Sequence, residues 1–145
     1  MRNRLFICLF VSVLSLIIVS GCAGLADYEV DLPGSYSIVR TSAHSVFIAP
    51  KTGEGNWGSN VIPAKVTEVA WDEKYILAKQ LGLKDAPKSS NGYQIPDKQS
   101  VHYWILEYET GETTGPLNED GFIEKRIEFQ IADDVILKDV DDMDK

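Results

Sequence analysis

Thiols are scarce in this chain. Its 145 residues include two cysteines, Cys8 and Cys22, and none after residue 22. Whatever folds beyond that point has no disulfide, no thiolate metal ligand and no cysteine nucleophile. Its apolar core must hold the fold alone, even in an oxidising compartment. Histidine is equally rare, with only His44 and His102. A zinc site without cysteine would need both plus a carboxylate, and nothing in their spacing brings them together. No G-x-S-x-G elbow occurs, so a serine triad has no anchor. Basic charge is also short. Lys plus Arg total 14 against 22 Asp plus Glu, a formal charge of −8. Such a chain is repelled by nucleic acid and by anionic headgroups. The expectation is a non-enzymatic protein with no cofactor, no metal and no nucleic-acid partner.

Two motifs come close to a ligand site and fail on context. Gly53-Glu54-Gly55-Asn56-Trp57-Gly58 has the spacing G-x-G-x-x-G. A dinucleotide fingerprint needs a helix directly after it, so that the helix N-terminus meets the pyrophosphate. Here Val61-Ile62-Pro63 follows, which is β-like. A phosphate-binding Walker loop would need Lys-Ser/Thr where Ser59-Asn60 stands. The glycines read as a hairpin loop. Pro116, Asn118, Asp120 and Gly121 faintly match a calcium loop. However, Pro116 supplies no side-chain oxygen and Ile127 occupies the position that needs Glu.

What the chain does have begins at its N-terminus. Arg2 and Arg4 precede the uncharged apolar run Leu5–Val19, and the small residues Ser20 and Gly21 lead to Cys22. Positive start, apolar run and small-residue exit are the parts of a secretory signal. The run falls short of the roughly 20 residues that span a bilayer as a helix. Val19-Ser20-Gly21-Cys22 resembles the bacterial lipobox. The resemblance implies cleavage before Cys22, a diacylglycerol on its thiol and a fatty-acyl (palmitate-type) membrane anchor. Two acyl chains suffice for stable attachment. Cleavage would remove two arginines and no acid, shifting the formal charge from −8 to −10.

The expected organisation is a signal peptide over 1–21, a tether over 22–27, one globular domain over 28–138 and a frayed acidic tail over 139–145. Tyr28–Leu32 alternates apolar and polar residues, as an edge strand does. Pro33-Gly34 signals a turn. Hairpins are expected over 36–49 and 64–81, and a strand over 101–108. Residues 50–60 and 82–100 read as loops, the second long enough to be functional or disordered. Residues 110–116 read as a turn, and Val135–Leu137 as a short last strand. A helix is expected over about 118–131. Asn118 would cap it, Leu117 would staple to Phe122, and Phe122, Ile123, Ile127 and Ile131 would form its apolar stripe. The fold class is therefore α+β, with an antiparallel sheet of about five strands and one C-terminal helix packed on a face.

Aromatic residues are the remaining sites of interest. Trp71, Tyr103 and Trp104 lie inside expected strands and read as core. Trp57 and Tyr93 lie in Gly/Ser/Asn-rich loops, where burial is hard to arrange, and are the expected contact residues for a partner. Leu32-Pro33-Gly34-Ser35-Tyr36-Ser37-Ile38-Val39-Arg40-Thr41, Val61-Ile62-Pro63, the stretch Trp71–Ala78, Tyr103-Trp104-Ile105-Leu106 and Gly115-Pro116-Leu117 together resemble a family of small bacterial lipoproteins. That family carries only a domain-of-unknown-function label. The resemblance implies an exported protein, lipid-anchored through Cys22 at the extracytoplasmic face of the cell membrane. The expected role is binding of an envelope protein or glycan. An envelope hydrolase or a small-ligand carrier is the alternative, and a deep pocket pairing His44 or His102 with a carboxylate would favour it.

Overall fold

The computed structural model describes residues 27–143. The signal segment, the lipobox with Cys22 and nearly all of the tether lie outside the described residues. The fold is α+β, as the patterning implies. Its strands run β1 (Tyr28–Leu32), β2 (Tyr36–Arg40), β3 (Val46–Gly53), β4 (Asn56–Trp57), β5 (Val66–Trp71), β6 (Tyr75–Asp85), β7 (Gln94–Glu107), β8 (Glu112–Leu117) and β9 (Lys138–Asp139). One helix, α1 (Glu119–Glu128), lies between β8 and β9. The strands form two antiparallel sheets and not one, ordered β1-β2-β3-β4 and β8-β7-β6-β5-β9.

Alternation decides how the sheets meet. In β6 and β7, Ile76, Ala78 and Leu106 point to one face and Leu77 and Ile105 to the other. The first set packs with Leu32, Ile38, Val46 and Ile48 of the smaller sheet, forming a core between the sheets. The second set packs with Phe122 and Ile131, under the helix. The molecule is thus three layers: a four-stranded sheet, a five-stranded sheet and a helix. Both faces of the middle layer are buried, so its central strands read as continuous apolar runs. Each fully buried Ile or Leu contributes about 1.5–3 kcal/mol. An exposed ion pair contributes about 0–1 kcal/mol. The two cores, and not the surface charges, therefore carry the fold.

Several expectations change in detail. Residues 82–100 are not an excursion. Most of them extend β6 and β7 into a hairpin of 11 and 14 residues, joined through a turn at 86–93. Register slips between Leu81↔Val101 and Gly82↔Asp97, leaving a bulge on β7. Glycine suits this point, because a Cβ on Gly82 would sit 2.4 Å from Ser100 Oγ. Much of 110–116 is strand β8, paired to β7, and not a free turn. The last strand is Lys138–Asp139, pairing with Glu68 and Val69, and not Val135–Leu137.

The helix is shorter than its apolar spacing implies. Asn118 caps it, accepting from Gly121 N–H at 2.9 Å. Leu117 and Phe122 join the same apolar cluster, as the staple requires. At the other end Gln130 adopts a positive φ of 58°. Ile131 N–H then reaches Arg126 C=O at 2.9 Å, and Gln130 N–H reaches Ile127 C=O at 3.1 Å. This is a Schellman stop made without glycine. Of the expected stripe, Phe122 and Ile131 are buried, while Ile123 and Ile127 face solvent. The segment expected to fray is instead ordered through residue 143. Val140 is 1% exposed in the inter-sheet core, and Asp141 pairs with Arg40 at 2.8 Å.

Gly34 forms the turn between β1 and β2 at φ 69°, and a Cβ there would lie 2.6 Å from the Tyr108 ring. Left-handed backbone and rigid ring both oppose a side chain. Gly34→Ala is expected to destabilise the domain by about 1–3 kcal/mol in urea unfolding, with an unchanged m-value.

Candidate functional site

The candidate site lies where the two sheets' loops approach each other. Thr41–Ser45 closes the β2–β3 hairpin. Thr41 N–H meets Ser45 C=O at 3.0 Å, and Ser45 N–H meets Ser42 Oγ at 3.1 Å. Lys65 Nζ donates to Ala43 C=O at 2.7 Å, tying this turn to the lead-in of β5. That lead-in is held in turn by Gln80, whose Nε2 donates to Ala64 C=O at 2.7 Å. Trp104 Nε1 donates to Gln80 Oε1 at 3.1 Å. A chain of hydrogen bonds thus runs from the sheet interior to the turn and fixes the floor.

The far wall comes from the end of the β6–β7 hairpin. Ala86 N–H bonds to Tyr93 C=O at 2.9 Å, and Lys84 pairs with Asp97 at 3.0 Å. These contacts present Leu83, Tyr93 and Gln94 to the turn. The result is an open cleft of about 390 Å³ lined by Ser42, His44, Ser45, Leu83, Tyr93 and Gln94 among others. That volume lies within the range of small-ligand sites. His44 and Tyr93 rings approach to 5.9 Å between centroids, tilted by 52°. His44 Nδ1 is shielded from solvent and, among the described residues, has no hydrogen-bond partner. Tyr93 is 54% exposed. Among the described residues, no carboxylate, ammonium or guanidinium lines the cleft.

The two expected contact residues have different neighbours. Tyr93 stands over His44. Trp57, in β4, is half-buried on the outer face of the smaller sheet, and its Nε1 donates to Glu29 Oε1 at 3.2 Å. No hydrogen bond or ring contact joins Trp57 to Tyr93. Trp57 belongs to a polar row crossing that face. Lys51 sits 2.9 Å from both Glu29 Oε1 and Asp31 Oδ1, and Ser37 Oγ donates to Glu29 at 2.9 Å. Hydrogen bonding to Glu29 and then Asp31 holds the Lys51 ammonium above its ordinary range. The hydrogen bond from Lys51 holds Glu29 and Asp31 below theirs.

The other aromatics divide. Tyr103 stacks on Phe122 at 4.7 Å and Trp104 packs against the inter-sheet cluster, each half-buried at the edge of a core and not inside it. Trp71 does not follow the expectation of burial. It ends β5 beyond the reach of β9 and is 42% exposed, beside Ile136 and Met143 in a second open depression of about 380 Å³. The histidines stay apart. His102 Nε2 bonds with Ser100 Oγ at 3.0 Å within β7. Among the described residues, no group of three metal-ligating side chains forms. No helix among them is long and apolar enough to cross a membrane.

Sequence reasoning missed Leu83 and Gln94 because their stretch read as loop. The alternation Leu81, Leu83 against Gly82, Lys84 was the available signal that β6 continues.

The polar row generates a pH prediction. Depressed carboxylates contribute stability that is present above their unfolded pKa, about 4, and lost as pH falls through the folded value. Lys51→Met returns Glu29 and Asp31 toward ordinary titration. In thermal melts between about pH 5 and about pH 3, the variant is expected to lose less stability than the wild type. Equal losses would show that the row adds no pH dependence.

No curated protein and no solved structure matches the chain. The model of one family, described as a protein of unknown function (DUF3997), matches residues 33–141, and the chain belongs to that family.

Proposed function

We propose that this protein is a lipid-anchored, extracytoplasmic lipoprotein that acts as a non-enzymatic binding module for a cell-envelope component. The observation that carries the binding role is the cleft between the β2–β3 turn and the β6–β7 tip. It is open, and the side chains of Tyr93 and Gln94 are exposed at its rim. Hydrolysis by His44 would need a carboxylate or another orienting group beside the ring. Among the described residues the cleft supplies none. His102, the other histidine, is engaged with Ser100 in a strand. These arrangements favour binding over the alternative of an envelope hydrolase.

The location rests on the charged, apolar and small-residue order of 1–21 and on Cys22 directly after it. An acidic domain gains nothing from an anionic bilayer, so attachment would depend on the lipid at that one thiol. Trp57 offers a second, separate contact on the outer face of the smaller sheet.

In a bacterial host, wild-type protein is expected to stay with washed membranes, and Cys22→Ser to move to the soluble fraction. Equal retention of both would contradict the anchor. A photo-crosslinking residue in place of exposed Tyr93 is expected to trap an envelope component in intact cells. Absence of any adduct, with the variant folded and exported, would contradict the binding role.

A further inference from the structure

We infer that the His44–Tyr93 cleft binds an uncharged glycan, with a sugar ring laid on Tyr93 and its hydroxyls or acetamido groups taken by His44 and Gln94. This deepens the binding role proposed above and rests on it.

The argument begins with groups the protein leaves unused. His44 Nδ1 is shielded from solvent and has no hydrogen-bond partner among the described residues. The Gln94 amide and the Tyr93 hydroxyl are solvent-exposed and have no protein partner among the described residues. Gln80, a buried polar side chain, is by contrast paired at both ends of its amide. Three unpartnered side chains, each able to donate or accept, therefore meet at one cleft. An apolar ligand would strand them away from water, at about 1–3 kcal/mol for each group.

Charge excludes the opposite class. No ionised side chain among the described residues lines the cleft. The ammonium groups next to lining residues in the chain are committed, Lys65 to Ala43 C=O and Lys84 to Asp97. An ionic ligand would lose its water without gaining a counter-charge. A protein partner would look for a buried apolar pocket to anchor a large side chain. The aliphatic side chains here are only Ala43, Ala64 and Leu83.

What fits is a neutral molecule with hydrogen-bonding groups round its edge and an apolar face. A pyranose has that form. Its axial C–H groups are weakly positive, and the face of an aromatic ring is negative. Tyr93, more than half exposed and steadied by its tilt against His44, offers such a face. The side-chain amide of Gln94 presents a donor and an acceptor side by side, which suits neighbouring hydroxyls or an acetamido group.

The test uses the full chain in detergent, titrated with chitotriose and with cellotriose while its NMR spectrum is followed. Saturable shifts are expected at the His44 ring and at the Tyr93 and Gln94 amides, complete by ~10 mM of at least one trimer. Tyr93→Ala is expected to weaken that binding at least tenfold, and Tyr93→Phe, which keeps the ring, by less than about threefold. Both variants should keep the wild-type spectrum away from the cleft. The crosslinker at position 93 separates the two levels of the account. No saturable shift with either trimer, together with a protein adduct in cells, would overturn the glycan and leave the binding role standing. A glycan adduct supports both. Neither shifts nor any adduct would overturn both.

Discussion

The structure depends on one strand pair that is buried on both sides. Between residues 75 and 81, β6 faces the smaller sheet with Ile76 and Ala78 and the helix with Leu77. In β7, Leu106 and Ile105 divide the same way. Neither layer would be stable alone. The four-stranded sheet has the face of Ile38, Val46 and Ile48 to cover, and α1 buries little beyond Phe122 along its length. Each is held because the middle sheet offers it a complementary surface. This also explains how a domain without disulfides holds together. Its apolar residues are divided between two cores that share one sheet, so burial is gained on both sides of the same backbone.

The same pair links fold to site. Beyond Leu81, β6 and β7 leave the cores and continue as a two-stranded ribbon. A ribbon of two strands has no core of its own, so it needs local ties. The bulge at Gly82, the Lys84–Asp97 pair and the backbone bond from Ala86 to Tyr93 provide them. Tied at its base and across its tip, the ribbon carries Tyr93 and Gln94 to the turn that holds His44. The opposing turn is fixed by the chain from Trp104 through Gln80 to Ala64, and from Lys65 to Ala43. The cleft is therefore a consequence of strand length and not a separate element.

Much of this was legible from the residues. The fold class followed from β-rich runs and a single capped helix. The hairpin around Asp72-Glu73 followed from apolar residues on both faces of its flanks, the mark of a doubly covered sheet. The absence of thiols bounded the chemistry before any coordinates. Three things were hidden for physical reasons. Pairing partners are not local, so nothing in Tyr36–Ala49 announced that it belongs to a different sheet from Val66–Leu81. Pro96 and Gly82 read as loop signals, yet a bulge and a ribbon edge both accept them. Spacing alone placed Ile123 and Ile127 on the buried stripe, but the helix packs through too narrow a face to reach them. Of the site, Tyr93 stood out by its polar, glycine-rich context, whereas His44, one of two histidines, bore only on the alternative of a hydrolase or carrier. Their meeting depended on tertiary geometry that spacing does not encode.

Native-state hydrogen exchange tests the central claim most directly, because exchange ranks elements by the free energy needed to open them. If the β6–β7 pair carries both cores, the amides of Ile76, Leu77, Ala78, Ile105 and Leu106 will be the last to exchange and will do so only with global unfolding. Those of β1, β4 and the ribbon tip will exchange sooner. Slower exchange in β1 and β2 than in β6 and β7 would contradict the account. It would mean that the smaller sheet, and not the shared middle layer, holds the molecule together.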